Sequence, residues 1–93
     1  MATYKNRPVD LILDVRSKLE FWLGHIDGAV CIAHDKLPDA LSQQAGITTQ
    51  SKIVVYCASG ARSAAAARVL RGAGYVHVTD AGGIDDARAQ IDP

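Results

Sequence analysis

Cys57 ends an apolar run, "KIVVYC", and is followed by Ala58, Ser59, Gly60 and Ala61 before Arg62 and Ser63. These residue types at this spacing suit a nucleophilic thiol held beside a small anion. A turn from strand to helix aims its backbone N–H groups at a common centre, and the first helical turn leaves donors unpaired. The helix adds roughly half a positive charge at its N-terminus, so the turn is an anion pocket. A thiol placed there is driven towards thiolate, its pKa falling from ~8.5 by up to several units. Gly60 permits the unusual dihedrals of such a loop, and Ala58, Ser59 and Ala61 are expected to leave its floor open. Arg62 brings a permanent charge and a fork of donors for an oxyanion. Ser63 is placed to cap the helix or to donate into the pocket. The bland alternative is an inert, buried cysteine at a strand end; the bare loop favours the reactive one.

The elements that must position this loop follow from the pattern of apolar residues. Residues 9–15, 29–33, 52–57 and 75–79, rich in Val and Ile, are expected as strands. The third is apolar without alternation, as a central strand covered on both faces should be. Helical patterns lie between them. Ser17, with Glu20 three residues on, forms a capping box at the head of the first. A second is expected from Pro38 through "DALSQQ" to Gly46, and a third over "RSAAAARVLRGAG", with Gly72 and Gly74 as its stop. A fourth follows Gly82 and Gly83 over "IDDARAQ". This alternation predicts an α/β fold with right-handed connections, a small, mostly parallel sheet flanked by helices on both faces. Ligands of such sheets gather beyond the carboxyl ends of the strands, where Cys57 stands.

Composition narrows the function. With 93 residues, 48% of them apolar, one domain is expected over 1–93, with 1–8 as a short N-terminal arm and 57–63 as the active-site loop. Ten Lys and Arg balance ten Asp and Glu, which argues against a nucleic-acid grip. No apolar run approaches ~18 residues, so no membrane segment is expected. "MATYKNRPVD" has no apolar signal core, which predicts a cytoplasmic protein, or a periplasmic one if an export leader has been removed. Cys31 and Cys57 are too few for a disulfide scaffold. His25, His34 and His77 have no ligand spacing, so no metal is expected.

The motifs in register also resemble a family. "LILDVRSKLEFWLGHIDGAVCI", "VVYCASGARSAAAARVL" and "GYVHVTDAGGI" are similar to a single-domain rhodanese, a sulfurtransferase. The family's elements come in order: Asp-Val-Arg at 14–16, Gly-His-Ile-x-Gly-Ala at 24–29, Cys-x-x-Gly-x-Arg-Ser at 57–63 and Gly-Gly at 82–83. The resemblance spans about residues 9–88 and implies a rhodanese-like fold in which Cys57 carries sulfur as a persulfide. It implies a small anionic sulfur donor such as thiosulfate, an acceptor that is cyanide, a thiol or a protein thiol, and no organic cofactor. Residues 58–63 would then bind the anion. Related phosphatases place five residues between cysteine and arginine; here Ala58 to Ala61 make four, and an added residue would lengthen the ring by ~3.3 Å. The shorter ring suits one sulfur atom rather than a phosphoryl group. Only eight residues precede Val9, and the tryptophan common after Gly-Gly is replaced by "DDARAQ". In this the chain resembles the compact phage-shock-type form more than the fuller single-domain ones.

The remaining candidates have plainer readings. Asp14 and Arg16 are expected as a structural ion pair, and His25 as a structural hydrogen bonder rather than a titrating group. Cys31 is expected as a buried spectator rather than a resolving thiol for Cys57. Phe21 and Trp22 are expected in core or rim packing, Glu20 is explained by the cap, and Gly82–Gly83 is read as a turn that shapes the pocket edge. Two other functions compete with the enzyme: a non-catalytic carrier or interaction module, and a redox sensor with a Cys31–Cys57 disulfide.

Overall fold

The structure is a computed structural model describing residues 1–93. In chain order its elements are β1 (Thr3–Tyr4), β2 (Arg7–Pro8), β3 (Leu11–Asp14), α1 (Lys18–Leu23) and β4 (Val30–Cys31), followed by β5 (Lys52–Cys57), α2 (Ala61–Gly72), β6 (His77–Gly83), α3 (Ile84–Gln90) and β7 (Ile91–Asp92). The main sheet has the order β4-β3-β5-β6 and every pair in it is parallel. The apolar run of β5 is central, as its lack of alternation requires. The short N-terminal arm is not a loose tail: β1 pairs antiparallel with both β2 and β7 in a second, three-stranded sheet.

Both faces of the main sheet are covered. On one, Leu11, Leu13, Val15, Ile53, Val55 and Cys57 pack against Ala66, Ala67 and Leu70 of α2. The alanines of α2 let helix and sheet lie close. On the other face, Ile12, Val54 and Tyr56 meet Ile26, Ala87 of α3 and Ile91. The period of two along β3 and β5 therefore sends alternate residues into two separate cores.

Helix boundaries follow their capping chemistry. At the head of α1 both halves of the capping box form between Ser17 and Glu20. Beyond α2, the Tyr75 amide donates to Leu70 O and the Gly74 amide to Arg71 O, each at 3.1 Å. This pair of bonds closes the helix, and Tyr75 packs in the same core as Leu70. The helix expected from Pro38 to Gly46 is absent. One short 3₁₀ turn, Leu41–Gln43, takes its place, the second of two in this connection after His34–Lys36. Leu41 is the buried apolar residue of the second turn, which leaves no apolar stripe to dock a longer helix. The Ser42 hydroxyl also donates to Asp39 O at 2.6 Å, a local bond that competes with helix propagation.

Asp14 and Arg16 form the expected structural pair, placed at the carboxyl end of β3. Asp14 is fully buried and Arg16 nearly so. The guanidinium donates to both carboxylate oxygens at 2.7–3.1 Å and to Gly24 O at 2.6 Å, tying β3 to the end of α1. It also lies over the Tyr56 ring, 5.7 Å from the centroid. Tyr56 in turn accepts the Ile26 amide at 3.1 Å on its hydroxyl, and burial pushes its pKa up. Removing one member of a buried pair strands the other charge. Asp14→Ala should therefore lower the unfolding free energy by about 3–5 kcal/mol, read from urea titrations, and a loss below 1 kcal/mol would contradict this account.

Candidate active site

Strand β5 delivers Cys57 to the carboxyl edge of the sheet, and α2 begins four residues later, at Ala61. Between them the chain turns through Gly60, whose φ of +105° lies in the left-handed region that glycine alone adopts freely. This turn brings the Gly60 amide to Sγ of Cys57, to which it donates at 2.9 Å. Oγ of Ser63 lies 3.4 Å from the same sulfur. Ser63 is fully buried and does not cap α2, for Gly60 is the N-cap residue and no side chain caps the helix. Its hydroxyl also lies 3.1 Å from Gly60 O and 3.4 Å from Gly82 O. The Cys57 pKa reflects two opposed effects. Burial alone would raise it, but the Ser63 hydroxyl and the amides of Ser63, Gly60 and Ser59 together bring it below the ordinary thiol value.

The floor of the loop is closed, not open. Ala58, Ser59 and Ala61 are exposed, yet Cys57 has no exposed surface. Part of the reason is the close approach of the Gly82–Gly83 backbone at the end of β6. Cys57 pairs with Gly83 across a register shift in the β5–β6 ladder. A Cβ at residue 83 would stand 2.6 Å from the Ala58 carbonyl oxygen. Gly82–Gly83 thus does more than open the last helix; it presses directly against the loop.

Arg62 does not turn its fork into the ring. Its Nη1 and Nη2 donate to Oε1 and Oε2 of Glu20 at 2.7 and 2.9 Å. The guanidinium lowers the Glu20 pKa to about 2, and the Ser17 cap adds to the effect. The same carboxylate thus completes the capping box of α1 and holds Arg62. The sequence signals only the first role, because the second joins residues 42 apart. Arg62 nevertheless feels a negative charge at Cys57, which contributes to its raised pKa after the larger effect of Glu20.

Cys31 is half-buried and pairs with Asp14, which pairs with Tyr56. Residues in one row of a parallel sheet point to one face, so Cys31 faces the side of Tyr56 while Cys57 faces the α2 side. They also sit two strands apart, with β3 between β4 and β5, a separation of about 10 Å that a disulfide does not span, which argues against the redox-sensor alternative. The spectator reading of Cys31 stands, although it is less buried than expected. Burial, then Asp14, raises its pKa. His25 is structural: Nδ1 lies 2.8 Å from Phe21 O and the ring stacks on Phe21, with 3.7 Å between centroids. Trp22 overturns the packing expectation, being 80% exposed. A groove of about 600 Å³ beside the loop is lined by Lys18, Cys31, His34, Lys36 and Arg62, among others.

Comparison with known proteins follows this geometry. The family described as "Rhodanese-like domain" matches residues 2–89. The thiosulfate sulfurtransferase PspE of Escherichia coli K12 is 31% identical over 80% of this chain and 70% of its own length. The tRNA uridine(34) hydroxylase of Erwinia tasmaniensis is 34% identical over 76% of this chain, which spans only 21% of that longer protein. Among solved structures, a rhodanese-like domain from Anabaena superposes with a TM-score of 0.76 at 31% identity, covering 89% of this chain and 98% of that one. A structure described as rhodanese with anions, from E. coli, gives 0.72 at 28% identity over 88% and 95%. The chain has no helix long and apolar enough to cross a membrane. A match of this extent, on a parallel sheet with the cysteine loop at its carboxyl edge, shows that this protein belongs to the rhodanese-like domain family.

Proposed function

We propose that the protein is a sulfurtransferase that moves sulfane sulfur through a persulfide on Cys57. The observation that carries this reading is the donor set around one sulfur: the Gly60 amide at 2.9 Å and the Ser63 hydroxyl at 3.4 Å. Such preset donors replace water around an anion without reorganising during reaction. In the first half-reaction the Cys57 thiolate attacks the outer sulfur of a donor such as thiosulfate. The Sγ–S bond forms as the donor's S–S bond breaks, and sulfite leaves with the electron pair. In the second, cyanide or an acceptor thiol attacks the outer sulfur and Cys57 leaves as thiolate. Two half-reactions on one nucleophile give ping-pong kinetics.

Ser63 supports both charge states of the sulfur. A hydroxyl carries one hydrogen and two lone pairs. While Cys57 is a thiol, Ser63 accepts from it and donates to Gly60 O; when the proton leaves, the hydroxyl rotates and donates to the sulfur. Residues 58–63 supply the remaining anion contacts through their backbone, and Arg62, with its fork held by Glu20, does not grip the donor. Cys57 has no exposed surface of its own, so the donor's outer sulfur approaches over Ala58 and Ser59, the exposed, unencumbered rim of the loop. The competing reading, a non-catalytic interaction module, does not require an intact thiol with these donors.

Thiosulfate should add 32 Da (one sulfur) to the protein on Cys57, and cyanide should remove it as thiocyanate; Cys57→Ser should abolish both. An unmodified mass after incubation would sink the proposal, as would robust hydrolysis of p-nitrophenyl phosphate. Ser63→Ala removes a donor from the anion, so the pH at which transfer reaches half its maximum should move upward, with transfer at pH 7 about tenfold slower. An unchanged pH profile would exclude that role. Gly83→Ala should cut transfer at least about tenfold by displacing the Ala58 carbonyl. Gly72→Ala, where a Cβ meets nothing within 4 Å, is the control.

A further inference from the structure

The surface beside the loop has two properties that sulfur transfer to a small molecule does not use. The first is charge. The groove of about 600 Å³ that shares Arg62 with the active-site loop is lined by Lys18 and Lys36 against the single carboxylate Asp35, and by His34. All four of these side chains are exposed. Ion pairs in the protein join only Arg16 to Asp14 and Arg62 to Glu20, so both lysines are unpaired. In a chain with no net charge, this is a local excess of cations.

The second property is apolar exposure. Leu19, Trp22 and Leu23 are 65%, 80% and 71% exposed, and they are half of the large hydrophobic residues the protein exposes. All three lie within six residues of α1. At 3.6 residues per turn they occupy one side of that helix, with Lys18 next to Trp22 at a spacing of four. Lys18 therefore joins the apolar face to the groove. Glu20, on the same helix, is bound to Arg62 at the head of α2, which fixes this face relative to Cys57.

We propose that this face docks the sulfur acceptor, and that the acceptor is an acidic protein presenting a thiol next to an apolar segment. The inference rests on the persulfide reading above and names the partner for its second half-reaction. Charge complementarity selects an anionic occupant and steers its approach. Three large exposed side chains beside the groove offer more apolar area than a small thiol covers, and aromatic anchors of this kind dominate protein interfaces. A membrane surface fits less well, because α1 carries a single lysine, no arginine and a glutamate, whereas interfacial helices are rich in Lys and Arg on their polar face. The chemistry balances: the acceptor thiolate attacks the outer sulfur of the Cys57 persulfide, forms a new S–S bond, and Cys57 departs as thiolate with no external oxidant.

Two synthetic cysteine peptides of equal length and apolar content test this, one flanked by glutamates and one by lysines. The protein is first loaded with thiosulfate. At low salt the acidic peptide should be persulfidated with a kcat/KM at least about tenfold higher, a gap that narrows as salt screens it. Lys18→Glu with Lys36→Glu should close the gap, and Trp22→Ala should raise KM for both peptides. Cyanide turnover should stay unchanged in Trp22→Ala, and an unchanged far-UV circular dichroism spectrum with full persulfide loading at saturating thiosulfate shows that the lysine variant folds. Equal use of both peptides, or preference for the basic one, overturns the proposal. So does a dimer in sedimentation that Trp22→Ala converts to monomer, or Trp22-dependent binding to anionic phospholipid vesicles. Failure of thiosulfate to load Cys57 at all would instead refute the underlying function.

Discussion

A sulfur anion buried in protein must find hydrogen-bond donors to replace the water it loses. Most of the architecture around Cys57 serves that requirement. Donation from the Gly60 amide at 2.9 Å depends on a left-handed turn, which in turn depends on a glycine. The turn sits where β5 ends and α2 begins, and both are held by the core that α2 shares with the sheet. Removing any of these would leave the thiol buried with its ordinary or a raised pKa. The burial that opposes ionisation is thus outweighed by the buried Ser63 hydroxyl together with the amides of Ser63, Gly60 and Ser59.

Arg62 has a different part from the one its chemistry suggests. A guanidinium next to a reactive thiol reads as a clamp for an oxyanion, yet both of its Nη atoms are engaged by Glu20. The ion pair is one-third exposed on both sides, so it contributes little to stability. Its consequence is geometric. It locks α1, through a residue already committed to its own cap, against the first turn of α2. The face of α1 that carries Trp22 is therefore oriented relative to the active-site loop rather than free to swing.

The buried Asp14–Arg16 pair performs the equivalent service at the next strand. It joins β3 to the end of α1 through Gly24 O, so the helix is anchored at both ends, by Arg62 near its start and by Arg16 after its last turn. The Gly-His-Ile segment that follows is held by its own contacts, His25 on Phe21 and Ile26 on Tyr56. A short helix with no buried residue of its own would not hold its position without them.

Much of this was legible along the chain because it is local. The capping box at Ser17 and Glu20, the unalternated apolar run of β5, and the small-residue loop around Gly60 after Cys57 each act over a few residues, where spacing alone dictates geometry. The helix expected after Pro38 failed for lack of an apolar stripe, a weakness that its single buried leucine already implied. Tertiary packing decided the rest. Glu20 captures Arg62, Gly83 approaches Ala58, Cys31 and Cys57 face opposite sides of the sheet, and Cys57 loses its solvent. Each outcome joins elements distant in sequence, and no local spacing encodes which of them will meet, since that is settled only when the helices dock on the two faces of the sheet.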